Sequence, residues 1–175
     1  MASNANFISQ FVMGGDPCTY KESGELQAEM SKLTHPARPD VDWRQVEKLC
    51  LALFRQNGVE LQTLVCYVLA ITRRQGLAGM ADGLGSLDIL LQRWADFWPV
   101  QVHSRISLLS WVTEKMQQAL RTLDIQYQDL PQIYRCVQHL SAIETTLQQC
   151  ELWHMTKLDL LAGQFRNTAL RLERL

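Results

Sequence analysis

The sequence predicts an all-α fold, a bundle of about seven helices with a C-terminal helical hairpin, and three observations carry that expectation. Apolar residues recur at spacings of three and four through most of the chain, as in Val46, Leu49, Cys50 and Leu53. Prolines and glycines punctuate these runs, at Gly14-Gly15, Pro36, Pro39, Asn57-Gly58, Pro99 and Pro131. No segment alternates apolar and polar residues as a half-buried strand would.

The elements follow in order. Residues 1–15 read as a flexible arm ending in Gly14-Gly15, and Asp16-Pro17 sets up a short helix from about Thr19 to Leu33. The segment THPARPD, with its two prolines, is a rigid extended connector. Asp42 can cap the next helix with Gln45 at N3, flanked by Val41 and Val46 as a hydrophobic staple, and Asn57-Gly58 supplies the stop. From Val59 to Gln75 apolar residues cover most of the helix circumference, which predicts a central, buried helix. The stretch GLAGMADGLGSLDILLQRWADFWP then places Leu87, Leu90, Leu91, Trp94 and Trp98 on one face until Pro99 ends it. Ile106, Leu109, Val112, Met116, Leu120 and Leu123 mark another amphipathic helix.

Beyond Leu130-Pro131, where proline suits a first turn, one register runs through Ile133, Val137, Leu140 and Leu147 and on to Leu158, Leu161, Phe165, Leu172 and Leu175. A single helix of more than forty residues would carry Glu144, Glu151 and His154 in its seam. A hairpin is therefore the expectation, with Thr156 and Asp159 as a capping-box-like start. The expected organisation is an arm over 1–15, a helical domain over 16–126 and a hairpin extension over 127–175.

A chain of 175 residues, 47% hydrophobic and 20% charged, can bury a substantial core without disulfides. Its 17 Lys and Arg against 18 Asp and Glu give a net charge of −1 with no long run of either sign, which argues against a nucleic-acid partner. Five cysteines, odd in number and without a C-x-x-C pair, point to reduced thiols in the cytosol. The start of the chain lacks the basic region and continuous apolar run of a signal peptide. The longest uncharged apolar stretch, Leu61 to Thr72, is too short to span a bilayer, which takes about 20 residues.

The glycines at 76, 79, 83 and 85 raise the question of a phosphate site. A P-loop needs a lysine and a hydroxyl after its last glycine, and the dinucleotide fingerprint needs a third glycine beyond Gly83 and Gly85; neither pattern is met. The expected role is a tight joint between helices, with Gly76 and Gly79 supplying positive φ or close approach. Cys136 and His139 lie one turn apart without a second pair to complete a zinc site, and Ser86 has no recognisable base beside it. No catalytic residue, cofactor, metal or small-molecule substrate is expected. Adjacent aromatics cannot all face inward from one helix, so Phe97 and Trp98, with the basic doublet Arg73-Arg74, form a candidate partner surface. Leu158, Leu161, Phe165 and Leu172 form a stripe that the first hundred residues are not expected to cover, a candidate for self-association. On that view a chain ending after Tyr127 should remain folded.

The strings GGDPCTY, KLTHPARPDVDW, WRQVEKLCLALF, the run from GVELQTL to ADFWP, and HSRISLLSW stand in an order that resembles the ImpA N-terminal domain of TssA-like type VI secretion proteins, over roughly Gly14 to Trp111. The HPARPDVDW, GVELQTL and FWP elements look most like the accessory branch called TagA or VasL. Cys18 departs from the arginine expected after Asp-Pro, and Gly85-Ser86 interrupts a helix start that is smoother in the family. The resemblance implies a non-enzymatic, homo-oligomeric part of a contractile injection machine, in contact with sheath, baseplate or membrane-complex components. In the TagA-like branch that role is to stop and hold the sheath at the membrane distal to the baseplate. A TssA-type baseplate and sheath-tube assembly cap is the alternative, and an unrelated helical adaptor the third reading. Members of the branch continue into a hydrophobic segment and a further domain, so a cytoplasmic chain is expected, reaching the inner membrane only through segments beyond it.

Overall fold

The computed structural model describes residues 4–175, with side chains from Phe7 onward. Among the described residues there are six α-helices: α1 (Lys21–Ser31), α2 (Trp43–Gln56), α3 (Leu61–Leu91), α4 (Val102–Thr122), α5 (Leu130–Gln149) and α6 (Leu158–Glu173). Short 3-10 turns lie at Asn4–Gln10, Pro17–Thr19, Tyr127–Asp129 and Trp153–Met155. β pairing among these residues is confined to a single bridge between Met13 and Val59.

The central element, α3, is two rods. Gly76 leaves helical geometry, with φ 63° and ψ −134°. A Cβ added at Gly79 would stand 2.0 Å from the Ile71 carbonyl oxygen, and one at Gly83 would stand 2.7 Å from Val68 Cγ1. Residues 68 and 83 would be about 22 Å apart along a straight helix. Their contact means that the halves 61–75 and 77–91 fold back antiparallel, so the six helices amount to seven rods. The glycine joint lies where the sequence placed it, and Gly83, one turn beyond Gly79, extends the close approach.

This hairpin of glycine-packed rods forms the middle of one continuous core, in which Leu64, Val68, Met80, Leu84, Leu87 and Leu109 are fully buried. Helix α2 packs on the first half, where the Cys50 thiol donates to the Thr63 carbonyl at 3.6 Å and Glu47 pairs with Arg74. Its start is the one expected, with the Asp42 carboxylate accepting from the Gln45 N–H at 3.1 Å. Helix α5 covers the second half, joined to it by the ion pair of Arg135 with Asp82 at 2.5 Å. Helix α6 returns antiparallel along α5, since Tyr134 bonds Glu173 and Arg166 pairs with Glu144. The break between them falls at Glu151 and Lys157, both at positive φ, which settles the choice in favour of a hairpin.

Four expectations need correction. The segment read as a flexible arm is docked: Ile8 is buried, the Phe7 ring lies 5.3 Å from that of Tyr67, and the Gly14 N–H bonds the Val59 carbonyl at 2.8 Å. Its apolar residues find Phe54 and Tyr67 uncovered; residues 1–3 of that arm lie outside the described residues. The helix expected to run to Pro99 stops at Leu91, and residues 92–99 turn. The capping box at Thr156 and Asp159 does not form. Thr156 instead accepts from the Leu158 N–H at 3.3 Å, while Asp159 faces His154 at 3.1 Å. Finally, the stripe is not free: Leu158, Leu161 and Phe165 are 0% exposed and Leu172 is 3% exposed, sealed inside the shared core. The physical reason is that α6 lies against both α5 and α4, the latter joined to it by Gln117 with Gln164 and by Glu114 with Lys157, so its apolar face is closed by two helices and not by its hairpin partner alone.

Gly79→Ala must push a methyl against backbone and should lower stability by about 2–3 kcal/mol in urea denaturation. Gly163→Ala, with open space around its Cβ, should raise stability by about 0.5–1 kcal/mol. A chain ending after Tyr127 loses the cover of α3 and should give neither a cooperative urea transition nor a near-ultraviolet circular dichroism signal; a cooperative transition would restore the independent head.

Candidate partner surface

The FWP end is organised by a buried arginine that the sequence reading passed over. Arg105, on the inner face of α4 and 3% exposed, donates from Nε to the Pro99 carbonyl at 2.6 Å. Its Nη1 and Nη2 donate to the carbonyls of Trp94 and Phe97, each at 2.5 Å. The guanidinium also lies over the Phe97 ring at 3.9 Å and the Trp94 ring at 4.6 Å. Three carbonyls of a non-helical turn thereby find donors that no neighbouring backbone supplies. Burial draws the Arg105 pKa below its ordinary value. The sequence did hold a signal: position 105 stands four before Leu109 and seven before Val112, so a charge occupied the apolar stripe.

This arrangement corrects the candidate surface. Phe97 is 2% exposed and belongs to the core, whereas Trp98 is half-buried beside exposed Val100. Breaking the helix at Leu91 lets consecutive aromatics point in different directions, which one continuous helix would forbid. The main-chain carbonyl of Trp98 accepts from the Leu61 N–H at 3.0 Å, tying this turn to the start of α3.

The same end holds a second buried charge-bearing group. Glu60 is fully buried and caps α3, its carboxylate accepting from the Thr63 N–H at 3.0 Å and from the Thr63 hydroxyl. Burial pushes its pKa up to about 7, with the Thr63 bonds pulling the other way. Both buried ionisable groups are thus engaged with backbone.

At the opposite end of the first half of α3 the doublet divides. Arg74 is held by Glu47 on α2. Arg73 is exposed and lies 5.5 Å over the Trp43 ring. It borders an open cavity of about 690 Å³ whose walls include Lys32, Arg38, Asp40 and Lys115. The connector forms one side of this cavity, with Arg38 in the left-handed region at φ 47°. Leu33 separates it from a second cavity of about 390 Å³ between α1, α3 and α4, lined by Met30, Val65, Leu108 and Trp111.

The other reactive side chains lie apart. Burial pushes the Cys66 and Cys136 thiols up to about 12 and Cys50 well above the usual thiol range, so all three stay protonated at neutral pH. Burial also lowers His139 below the ordinary imidazole value. Among the described residues no three His, Cys, Asp or Glu side chains gather as metal ligands. Among the described residues no helix is long and apolar enough to cross a membrane.

The fold and these sites define a helical module built around a doubled-back central helix, with an open basic cavity on its surface. The chain belongs to the ImpA N-terminal family: the family model described as ImpA, N-terminal, type VI secretion system matches residues 8–114. It is thus a type VI secretion-associated protein. The match begins in the docked N-terminal turn and ends within α4, so α5 and α6 lie beyond it. No curated protein and no solved structure matches the chain.

Glu60 gives a pH-dependent outcome. Its folded pKa of about 7 lies above the ordinary 4.5, so folding takes up a proton between those values. The favourable linkage is complete below the unfolded value and is lost as pH rises through the folded one, by about 3 kcal/mol. Glu60→Gln keeps an oxygen for the Thr63 N–H and carries no charge at any pH. Urea denaturation from pH 4 to 8 should show the wild-type stability falling relative to the variant across that range.

Proposed function

We propose that the chain is a non-enzymatic structural and interaction module of the TagA or VasL kind, which helps to stop and hold the contractile sheath at the membrane distal to the baseplate. The family match supplies the secretion system. The observation that carries the finer reading is the connector HPARPDVDW, the element most like the accessory branch. It is exposed over residues 34–40 and walls the cavity beside Arg73, where an apparatus protein can reach it. The buried charges support the non-enzymatic part of the reading, because Arg105 and Glu60 are spent on backbone groups. In this reading the full-length protein is a homo-oligomer in the cytoplasm that works through protein partners of the sheath, baseplate or membrane complex, without cofactor, nucleic acid or small-molecule substrate.

The test is time-lapse imaging of a fluorescent fusion of the full-length protein in cells with a labelled sheath. A focus should appear at the far sheath end when extension stops, and deleting the gene should shorten the time that extended sheaths persist. A focus at the baseplate before extension begins would instead assign the TssA-type assembly role.

A further inference from the structure

We infer that the two cavities meeting at Leu33 form one docking groove for an extended segment of a partner protein, in which a large apolar side chain is followed within a few residues by two or more carboxylates. The inference rests on the proposed interaction role only in taking the occupant to be a protein, and it adds the chemistry by which that partner is recognised.

The apolar end fits an anchor. Met30 from α1, Leu33 from the turn after it, Val65 from α3, and Leu108 and Trp111 from α4 converge on about 390 Å³, within the roughly 300–1,000 Å³ of sites that enclose a ligand group. No cation and no carboxylate lines this part. The other end has the opposite character. Lys32, Arg38, Arg73 and Lys115 stand around it against one carboxylate, Asp40, although the chain as a whole carries a net charge of −1. Among the described residues only Lys32 of these four is held in an ion pair, with Glu29 at 2.8 Å. Arg73 lines the cavity with its guanidinium 5.5 Å over the Trp43 ring, and a planar guanidinium is suited to a carboxylate.

The pairing of these ends selects among occupants. A nucleic-acid backbone would meet the cations but has nothing to place in a slot lined by Leu108 and Trp111. An apolar helix face would fill the slot and leave the cations unmatched. A segment with an anchor and neighbouring acids satisfies both, and the two basic jaws, Arg73 on α3 and Lys115 on α4, fix the direction in which it lies.

The experiment is a selection of a phage-displayed random dodecapeptide library on the purified 175-residue chain, followed by fluorescence anisotropy with a fluorescein-labelled peptide of the leading sequence. Enriched peptides should carry an aromatic or branched aliphatic residue within four positions of at least two Asp or Glu. Arg73→Glu combined with Lys115→Glu should weaken binding at least tenfold, and Leu108→Glu should do the same. Arg55→Glu with Arg171→Glu, an equal charge change at exposed positions outside the groove, should leave binding within twofold, and unchanged urea midpoints should accompany all of these variants. Failure to enrich any peptide, enrichment of basic or uncharged sequences, or binding that survives the Arg73 and Lys115 reversal would each overturn the groove. So would displacement of the peptide by equimolar inorganic phosphate or by unlabelled chain, which would point to a simple anion site or to a second copy. These outcomes are read on isolated protein, so they leave the sheath role to the imaging test, and loss of that role would leave the groove standing.

Discussion

With glycine at 79 and 83, the two halves of α3 meet closely, Gly79 against the Ile71 backbone and Gly83 against the Val68 side chain, and the rest of the bundle is arranged by that contact. A side chain at either position would push the rods apart, because the Ile71 carbonyl and Val68 already occupy the space. Close packing makes a narrow central slab with two distinct faces. The first half is covered by α2, the N-terminal segment and α4, while the second half requires α5. The reversal also brings Leu61 next to Trp98 and leaves Arg73 at the far end, so it separates the polar features of the molecule.

Those features use charge in opposite ways. At the tied end Arg105 and Glu60 are withdrawn from water and matched to main-chain groups, a use of charge that shapes a turn and a helix start at a desolvation cost. At the far end the cations stay in solvent, and exposed cations contribute little to stability when left to themselves. The inward pair therefore explains geometry, and the outward cluster is where recognition has room to act.

Much of the architecture was legible because it rests on local rules. The Asp42 cap, the Asn57-Gly58 stop, the Pro131 start and the glycine joint each depend on residues within a few positions, and each appears in the structure. What the sequence concealed depends on distant partners. Phe97 looked exposed because periodicity carried the helix to Pro99, whereas carbonyls bound by Arg105 hold a turn there. The stripe from Leu158 looked unpartnered because one of its two partners, α4, lies some forty residues earlier in the chain, and a periodic pattern cannot display that meeting. The docked N-terminal segment was hidden for a similar reason, since its landing site is made by Phe54 and Tyr67 from two helices. Of the candidate surface residues, Arg73 lies on the open cavity, Arg74 is paired, Trp98 is half-buried and Phe97 is internal.

The turn at Gly76 also bears on how quickly such a molecule can assemble. The tightest contacts in its centre join residues 71 with 79 and 68 with 83, separations short enough for the chain to sample early, before any long loop has been closed. The α5–α6 pair is a second hairpin of the same local kind. Its docking onto α3 links residue 82 with residue 135, a far longer closure. Contact order is thus low within each hairpin and high between them, and it is the long-range docking that carries the larger loop-closure cost.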